Sequence, residues 1–521
     1  MLHRKANTKV TGIAGTGGNG MTTQTDGKTE LSTRLSANLD RIKRDFAYPS
    51  NEALIIRNLV VASLKCDAAV LYLEGTADVN EIEKRIIEPL IERTNTSFKN
   101  GNPLDAVRLE IVTHRTGKTA STFDAINEGL LNGWTIVLIE GVNQALKFET
   151  RGFETRQVSE PIVEHVIRGP KEAFTESAAI NRSLVRKYLR DRHLVAETLT
   201  VGDRSVSEVT IMYVKDLADP NIVDSIKQRI RAVRTDAVLT LPILEQYLDD
   251  HPYSLVPSSL NTERPDRASA FLLEGHVILL MENSPAALVL PITIWSLLHS
   301  AEDHYMRWAY SNFMRIIRLL ALFVAVMTPS VYIAVSTFHE EMIPTDLLLA
   351  IAATREKVPF PALLEVLLME FAFELVREAA IRVPTVIGPT IGIVGALILG
   401  QAAVEANIIS PILVVIVAMT GISSFTIPEP SLNFAVRITR FILLFVGSFL
   451  GFFGIALVIA CLLAYLTTYS SYGVPFLSPL TPHYRSSADM ILRMPVHKER
   501  MRPLNLNPQD VVRRPERIKK R

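Results

Sequence analysis

Cysteine is nearly missing from this chain: Cys66 and Cys461 are the only two in 521 residues. One lies in mixed globular sequence and the other in an apolar run, so neither a disulfide framework nor a thiolate metal site organises the fold. Net charge is missing too. Lysine and arginine number 55 against 54 acidic residues, leaving +1, and such a chain carries no electrostatic footprint for nucleic acid. The opening residues MLHRKANTKVTGIAGTGGNG lack the apolar core of a signal peptide, so the soluble part is expected not to be exported by cleavage.

Complete catalytic motifs are also wanting. Gly15-Thr16-Gly17-Gly18-Asn19-Gly20 matches GxGxxG, but no apolar strand precedes it and no helix pattern follows. Gly117-Lys118-Thr119 resembles the end of a phosphate loop, yet Val112 stands where that loop needs glycine. The histidines are scattered, and His339-Glu340-Glu341 reads as a loop cluster rather than a metal site. The sequence therefore predicts no enzyme, no cofactor and no metal.

What is present is a strong asymmetry. A mean hydropathy of +0.22 averages ordinary globular sequence before about residue 315, an apolar stretch to about 470, and a basic end, RRPERIKKR. Residues 1–40 have no apolar period and are expected to be a disordered tail. The soluble part carries an internal repeat. VLYLEGTAD at 70–78 resembles IMYVKDLAD at 211–219, with Tyr72, Ala77 and Asp78 matching Tyr213, Ala218 and Asp219. GWTIVLIEGVNQALKF at 133–148 resembles GHVILLMENSPAALVL at 275–290, with Gly133, Glu140, Ala145 and Leu146 matching Gly275, Glu282, Ala287 and Leu288. Two blocks in one order at one offset predict two α/β units of similar topology with mixed sheets, over 41–160 and 161–305. The repeat also makes 277–290 a β-hairpin rather than a membrane span, because its counterpart carries Glu140, Gln144 and Lys147.

Residues 306–470 read as an all-α polytopic membrane domain and 471–521 as a basic cytosolic tail. Uncharged runs cover about 319–338, 386–404, 408–428 and 441–468, each near or above the ~20 residues that span ~30 Å of hydrocarbon. Arg307, Arg315 and Arg318 place the start of the first run in the cytosol, and the basic end argues for the same side. Both ends inside require an even number of crossings. The preferred expectation is that a Glu-rich segment at 360–384 enters and returns; a break in the last run near Gly447, Gly451 and Gly454 would instead give six crossings.

That Glu-rich segment, FPALLEVLLMEFAFELVREAAIRVP, carries Glu365, Glu370, Glu374, Glu378, Arg377 and Arg382. Charge at membrane depth costs roughly 2.5–3.5 kcal/mol per group. Glu370, Glu374 and Glu378 step by about 40° around a helix, which puts them on one face and makes them candidates for an ion path. Static pairing of Glu374 with Arg377 and of Glu378 with Arg382 is a second reading, and an interfacial helix a third. Gly388, Gly392, Gly447 and Gly451 are candidate helix-packing positions.

Four stretches together resemble a known family. NTERPDRASAFLLEG at 261–275, RGPKEAF at 168–174, the 360–384 segment and GVPFLSPL at 473–480 look like the A subunit of spore germinant receptors, the GerA family, which also includes stage V sporulation protein AF. The resemblance covers about 45–505. It implies a multi-pass protein of the inner spore membrane, working with a transporter-like B subunit and a lipoprotein C subunit. It further implies a homo-oligomer, a pentamer, that opens as a nutrient-gated channel for monovalent cations. A secondary transporter coupling ions through Glu and Arg, and a non-conducting signalling scaffold, are the alternatives.

Overall fold

The computed structural model describes residues 30–94, 103–114, 117–152, 160–382, 395, 397–484 and 489–513. The Gly15–Gly20 motif, Gly388, Gly392 and the last eight residues lie outside them. Helix α1 (Leu35–Asp45) begins inside the segment expected to be unstructured, because Leu35, Leu39 and Ile42 fall on one buried face.

The soluble part contains two five-stranded sheets. Strands β1 (Leu54–Val61), β2 (Cys66–Leu73), β3 (Gly117–Ala120), β4 (Trp134–Ile139) and β5 (Ala145–Glu149) pair in the order β1-β2-β4-β5-β3. Helical segments over 79–92 (α2) and 103–111 (α3) connect β2 to β3, and α4 (Phe123–Leu131) leads into β4. After α5 (Ala178–Tyr188), strands β6 (Leu194–Val201), β7 (Ser207–Val214), β8 (Leu260–Thr262), β9 (Val277–Met281) and β10 (Ala287–Leu290) pair as β6-β7-β9-β10-β8. Here α6 (Pro220–Ala232) and α7 (Leu241–Leu248) link β7 to β8, and α8 (Pro265–Glu274) precedes β9. Every pairing is antiparallel, so the expected mixed sheets are not found. The helical excursion after β2 or β7 returns the chain at the far edge, against the direction of its neighbour. Gly117-Lys118-Thr119 is part of β3, with the Lys118 ammonium 5.1 Å from the Trp134 ring centre, and is no phosphate loop.

Matching polar residues do matching work in the two sheets. Asp78 and Asp219 accept backbone N–H groups at the starts of α2 and α6. Glu140 accepts from Leu35 N at 2.6 Å and Glu282 from Ala178 N at 2.8 Å, each capping the helix that opens its unit. Asn38 ties Ser32 N and O, and Asn181 ties Thr175 N and O, at 2.6–2.9 Å.

Beyond α9 (Ile294–Leu298) the described residues up to 468 are mainly helical: α10 (Trp308–Phe338), α11 (Thr345–Arg355), α12 (Ala362–Arg382), a segment over 397–405 (α13), α14 (Pro411–Phe425) and α15 (Pro430–Thr468). Among the described residues, α10 and α15 are long and apolar enough to cross a membrane, and α14 is a shorter apolar helix. Segment 386–404 lies mostly outside the described residues. Helix α12 does not enter and return. It has no glycine or proline inside and runs unbroken for about 31 Å, along the whole of α14: Glu365 meets Ser410 before the start of α14 and Arg377 meets Ser424 near its end.

The reversal occurs in α15 instead. Gly451 has φ 57° and ψ −143°, a region open essentially to glycine alone. Residues eight apart in a straight helix are about 12 Å apart. Yet a Cβ on Gly447 would lie 3.2 Å from Ile455 Cγ1, and one on Gly454 would lie 2.8 Å from Val446 O. The helix therefore folds back as a hairpin. Its tip rests on Phe338 and His339 at the far end of α10. Its two ends meet the soluble part: Leu432 and Leu466 join the core of the second sheet, Tyr465 Oη donates to Ser254 Oγ at 2.8 Å, and Tyr469, just past the helix, donates to Val256 O at 2.9 Å.

The segment after 470 packs against the second sheet. Phe476 is fully buried in that unit's core with Ala325 of α10. Further on, Arg315 Nη1 lies 2.8 Å from Asp489 and Arg318 Nη1 lies 2.6 Å from Asp303. Arg493 Nη1 donates to Asp303 O at 2.7 Å. The base of α10 is thus clamped between the soluble part and the C-terminal segment.

Two groups beside this clamp make stability pH-dependent in opposite senses. His276 is buried edge-on to Phe271, with ring centres 4.9 Å apart, and burial pushes its imidazole from 6.5 down to about 4. The unfolded chain takes up that proton first, so folded stability falls as pH drops through this window. Burial pushes the carboxyl of Glu274, on the same turn, from 4.5 up to about 7, against the lowering effect of Arg513. Its contribution is present at low pH and lost as pH rises through that range. Full protonation of His276 costs on the order of 3 kcal/mol. We expect His276→Gln to flatten the loss of protease resistance between pH 6.5 and 4, and Glu274→Gln to steepen it.

Candidate functional site

The chemistry of the helical part gathers on one face of α12. Around a helix, the 40° step from Glu370 to Glu374 is repeated to Glu378, so the three drift by about 80° in all. That drift divides them. Glu370 is 1% exposed and Glu374 mostly buried, whereas Glu378 is open, at 56% of its side-chain surface. The expectation of a single face is thus met by the first two and missed by the third. Glu378 joins Leu364, Leu368, Phe371, Leu375 and Arg382 on an exposed stripe at alternating spacings of four and three, the spacing of a helix-association seam.

Glu370 and Glu374 enter a cluster with three arginines. Glu374 accepts from both Nε (3.0 Å) and Nη2 of Arg437, and from Arg440 Nη2 at 2.9 Å. Arg440 Nη2 also lies 2.9 Å from Glu370. Arg377 Nη1 stands 3.8 Å from Glu374, and its Nη2 donates to Ser424 Oγ at 2.7 Å. Bidentate guanidinium–carboxylate pairing fixes orientation as well as charge, so the cluster binds α12 to α15 and Arg377 binds α12 to α14. Arg382 meets Glu378 at 2.6 Å on the exposed side. At the other end of α12, buried Glu365 accepts from Ser410 N at 2.5 Å.

Arg437 and Arg440 were not legible as partners of the Glu-rich helix. They sit 63 and 66 residues away in sequence. The available signal was two arginines one turn apart on the otherwise apolar first limb of α15. Among the candidate packing glycines, Gly447 lets α15 close on itself, where a Cβ would lie 3.5 Å from Ser330 Cβ of α10, and Gly451 is the turn.

The soluble part reaches this bundle through a polar collar. Arg264 donates to Pro170 O at 2.7 Å and to Asp266 at 2.9 Å. Asp266 accepts from Tyr305 Oη, and Arg267 pairs with Glu164 and donates to His299 O at 2.9 Å. Phe174 N donates to Glu263 O at 2.7 Å. The 168–174 and 261–275 stretches are therefore one structure, joining the second sheet to the lead-in of α10. Such buried polar networks fix how the parts they join are arranged.

Comparison with known proteins identifies the family. The profile of the Bacillus/Clostridium GerA spore germination protein family matches residues 40–505. Spore germination protein KA of Bacillus subtilis is 35% identical over 93% of this chain and 88% of its own. A B. subtilis membrane protein named YfkQ, described as uncharacterized, is 37% identical over 82% of this chain and 83% of its own. Among solved structures, the N-terminal domain of the A subunit of the Bacillus megaterium spore germinant receptor GerK3 aligns at a TM-score of 0.40. It shares 24% identity and covers 50% of this chain and 96% of that one. With the family profile spanning both sheets, the collar and the charged helix, this chain belongs to the GerA family of spore germination proteins.

Proposed function

We propose that this chain is the A subunit of a spore nutrient-germinant receptor and that it forms the ion-conducting ring of that receptor. One observation carries the reading: α12 shows an apolar outer stripe that ends in the open Glu378–Arg382 pair, while its inner face is locked by Glu370, Glu374 and three arginines. In a ring, the locked face holds α12 upright in each subunit. The outer stripe then supplies the axial lining, an apolar constriction below a ring of Glu378 carboxylates that favours cations.

In the same reading the chain crosses the inner spore membrane six times, through α10, α12, the segment ending in α13, α14 and both limbs of α15. Both termini then lie in the cytosol. Exposed Phe323, Phe445, Phe449 and Phe453 face lipid or a neighbouring copy, since water would not tolerate so large an apolar surface. The copies form a homo-oligomer, a pentamer by family likeness, beside a transporter-like B subunit and a lipoprotein C subunit. The two sheets derive from one duplicated unit, as their shared strand order and the paired Asp, Glu and Asn roles suggest. The collar and the α10 clamp pass nutrient-driven movement to the bundle.

A secondary transporter would place its ionisable site at a broken helix. The break here, at Gly451, is bordered by Phe338 and His339, about 16 Å along α15 from Arg440, the partner of Glu370 and Glu374. Vesicle flux decides between these readings. Glu378→Gln removes an exposed pair worth at most about 1 kcal/mol, so the protein stays folded, and potassium efflux is expected to fall several-fold. Unchanged efflux in this variant would remove the acidic ring from the reading. Saturable flux coupled to a substrate would favour the transporter.

A further inference from the structure

Summing the ionic cluster leaves one charge over. Glu370 and Glu374 bring two negative charges and Arg377, Arg437 and Arg440 bring three positive ones, a formal balance of +1. The surplus is not shared evenly. Arg437 and Arg440 each have a carboxylate oxygen within 3.0 Å. Arg377 has Glu374 at 3.8 Å, and its Nε and Nη1 make no hydrogen bond among the described residues. The rings of Phe373 and Phe425 flank it at 5.1 and 4.7 Å. Those faces offer a partial counterpart to a cation but no formal charge.

Arg377 also lines a cavity of about 630 Å³ between α12, Gly395, α13, α14 and the first limb of α15. Most of the other lining is apolar, including Phe373, Val376, Val417, Ala418 and Phe434. This volume falls within the range of sites for small amphiphilic ligands, roughly 300–1,000 Å³. Its charged end lies towards the soluble part, since Arg377 meets Ser424 near the end of α14 and Arg437 sits two turns into α15. Basic pockets between membrane helices at that depth suit acidic lipid headgroups.

We propose that this cavity holds an acidic phospholipid of the surrounding bilayer, with one acyl chain along the apolar wall and the phosphate at the basic end lined by Arg377 and Arg437. The lipid neutralises the cluster and completes the packing of α12 against α14 and α15. This inference rests on the helices crossing a membrane and is independent of ion conduction.

The test uses the full-length protein in phosphatidylcholine vesicles with spin-labelled phosphatidylglycerol or spin-labelled phosphatidylcholine as probe. Retention through carbonate extraction first establishes insertion; its failure would sink the membrane reading itself. For inserted protein, the motionally restricted fraction is expected to favour the acidic probe about fivefold, the effect of one arginine near the surface. Arg377→Gln is expected to bring that ratio to about one, and Arg382→Gln, at an exposed pair, to leave it unchanged. A preference that survives Arg377→Gln would overturn the proposal, as would a free fatty acid, rather than a phospholipid, as the component extracted from the purified protein. Ala418→Phe fills the cavity without altering charge and covers the case in which Arg377→Gln does not fold. Loss of the restricted acidic probe in that variant supports the site, and its retention overturns it.

Discussion

Glu374→Gln is expected to be the most damaging conservative substitution in the helical part, lowering stability by about 3–5 kcal/mol and sharply reducing recovery from the membrane. The carboxylate accepts from Arg437 at two positions and from the almost fully buried Arg440. Removing its charge leaves three guanidinium groups and one remaining acid, Glu370, which Arg440 meets. An amide keeps the shape and one acceptor oxygen but offers an N–H where Arg437 needs a second acceptor. Burial makes the loss large, because water cannot replace the missing partner. A double variant, Glu374→Gln with Arg437→Gln, is expected to recover part of the stability, since the second change removes the stranded cation. Thermal unfolding in detergent measures all three proteins. A Glu374→Gln midpoint equal to that of Glu378→Gln would show that the cluster contributes nothing beyond a surface pair.

The second large effect is expected at Gly451. Valine there meets both a forbidden backbone region, φ 57° with ψ −143°, and a crowded site. A Cβ would lie 3.3 Å from Phe338 Cβ and 3.2 Å from His339 Nε2. With the turn removed, residues 430–468 favour one continuous helix of about 58 Å, nearly twice the hydrocarbon thickness. In the proposed six-crossing topology, residues 470–513 would then emerge on the opposite side, away from Val256, Ser258 and the second-sheet core that Phe476 fills. Single cysteines at His483 and Val60, introduced in turn with Cys66 and Cys461 replaced by serine, report sidedness to an impermeant maleimide. In the parent both positions are expected to label from the same face. In Gly451→Val, position 483 is expected to change face or the protein to be degraded. Same-face labelling with parental stability would mean that the hairpin does not exist.

Much of the soluble architecture was legible in the sequence because its signals are local. Tyr72/Tyr213 and Asp78/Asp219 mark a strand followed by a capped helix, and both features lie within ten residues of one another. Asn38/Asn181 carried the same information, but each is polar, buried and isolated, so no periodic pattern announced it. The antiparallel sense of the sheets was not legible, since the return of the chain to the far edge depends on how α2, α3, α6 and α7 pack. In the helical part, the shared face of Glu370 and Glu374 on α12 followed from a 100° step alone, whereas Glu378 drifts out of it. The partners of that face did not, because they reside on α14 and α15 and meet α12 only through tertiary packing. Three glycines in the last run were equally consistent with close packing or with a break. The backbone angle at Gly451 and the close approach of Gly447 to Ile455 distinguish them.

The most direct test of the central claim is an electron cryo-microscopy structure of the purified assembly in lipid. The account predicts a closed ring in which Leu364, Leu368, Phe371, Leu375 and Glu378 of every copy face a continuous axial path, with Glu374 and Arg440 behind them. A ring whose α12 stripes face lipid, with Glu378 remote from any aqueous path, would contradict it.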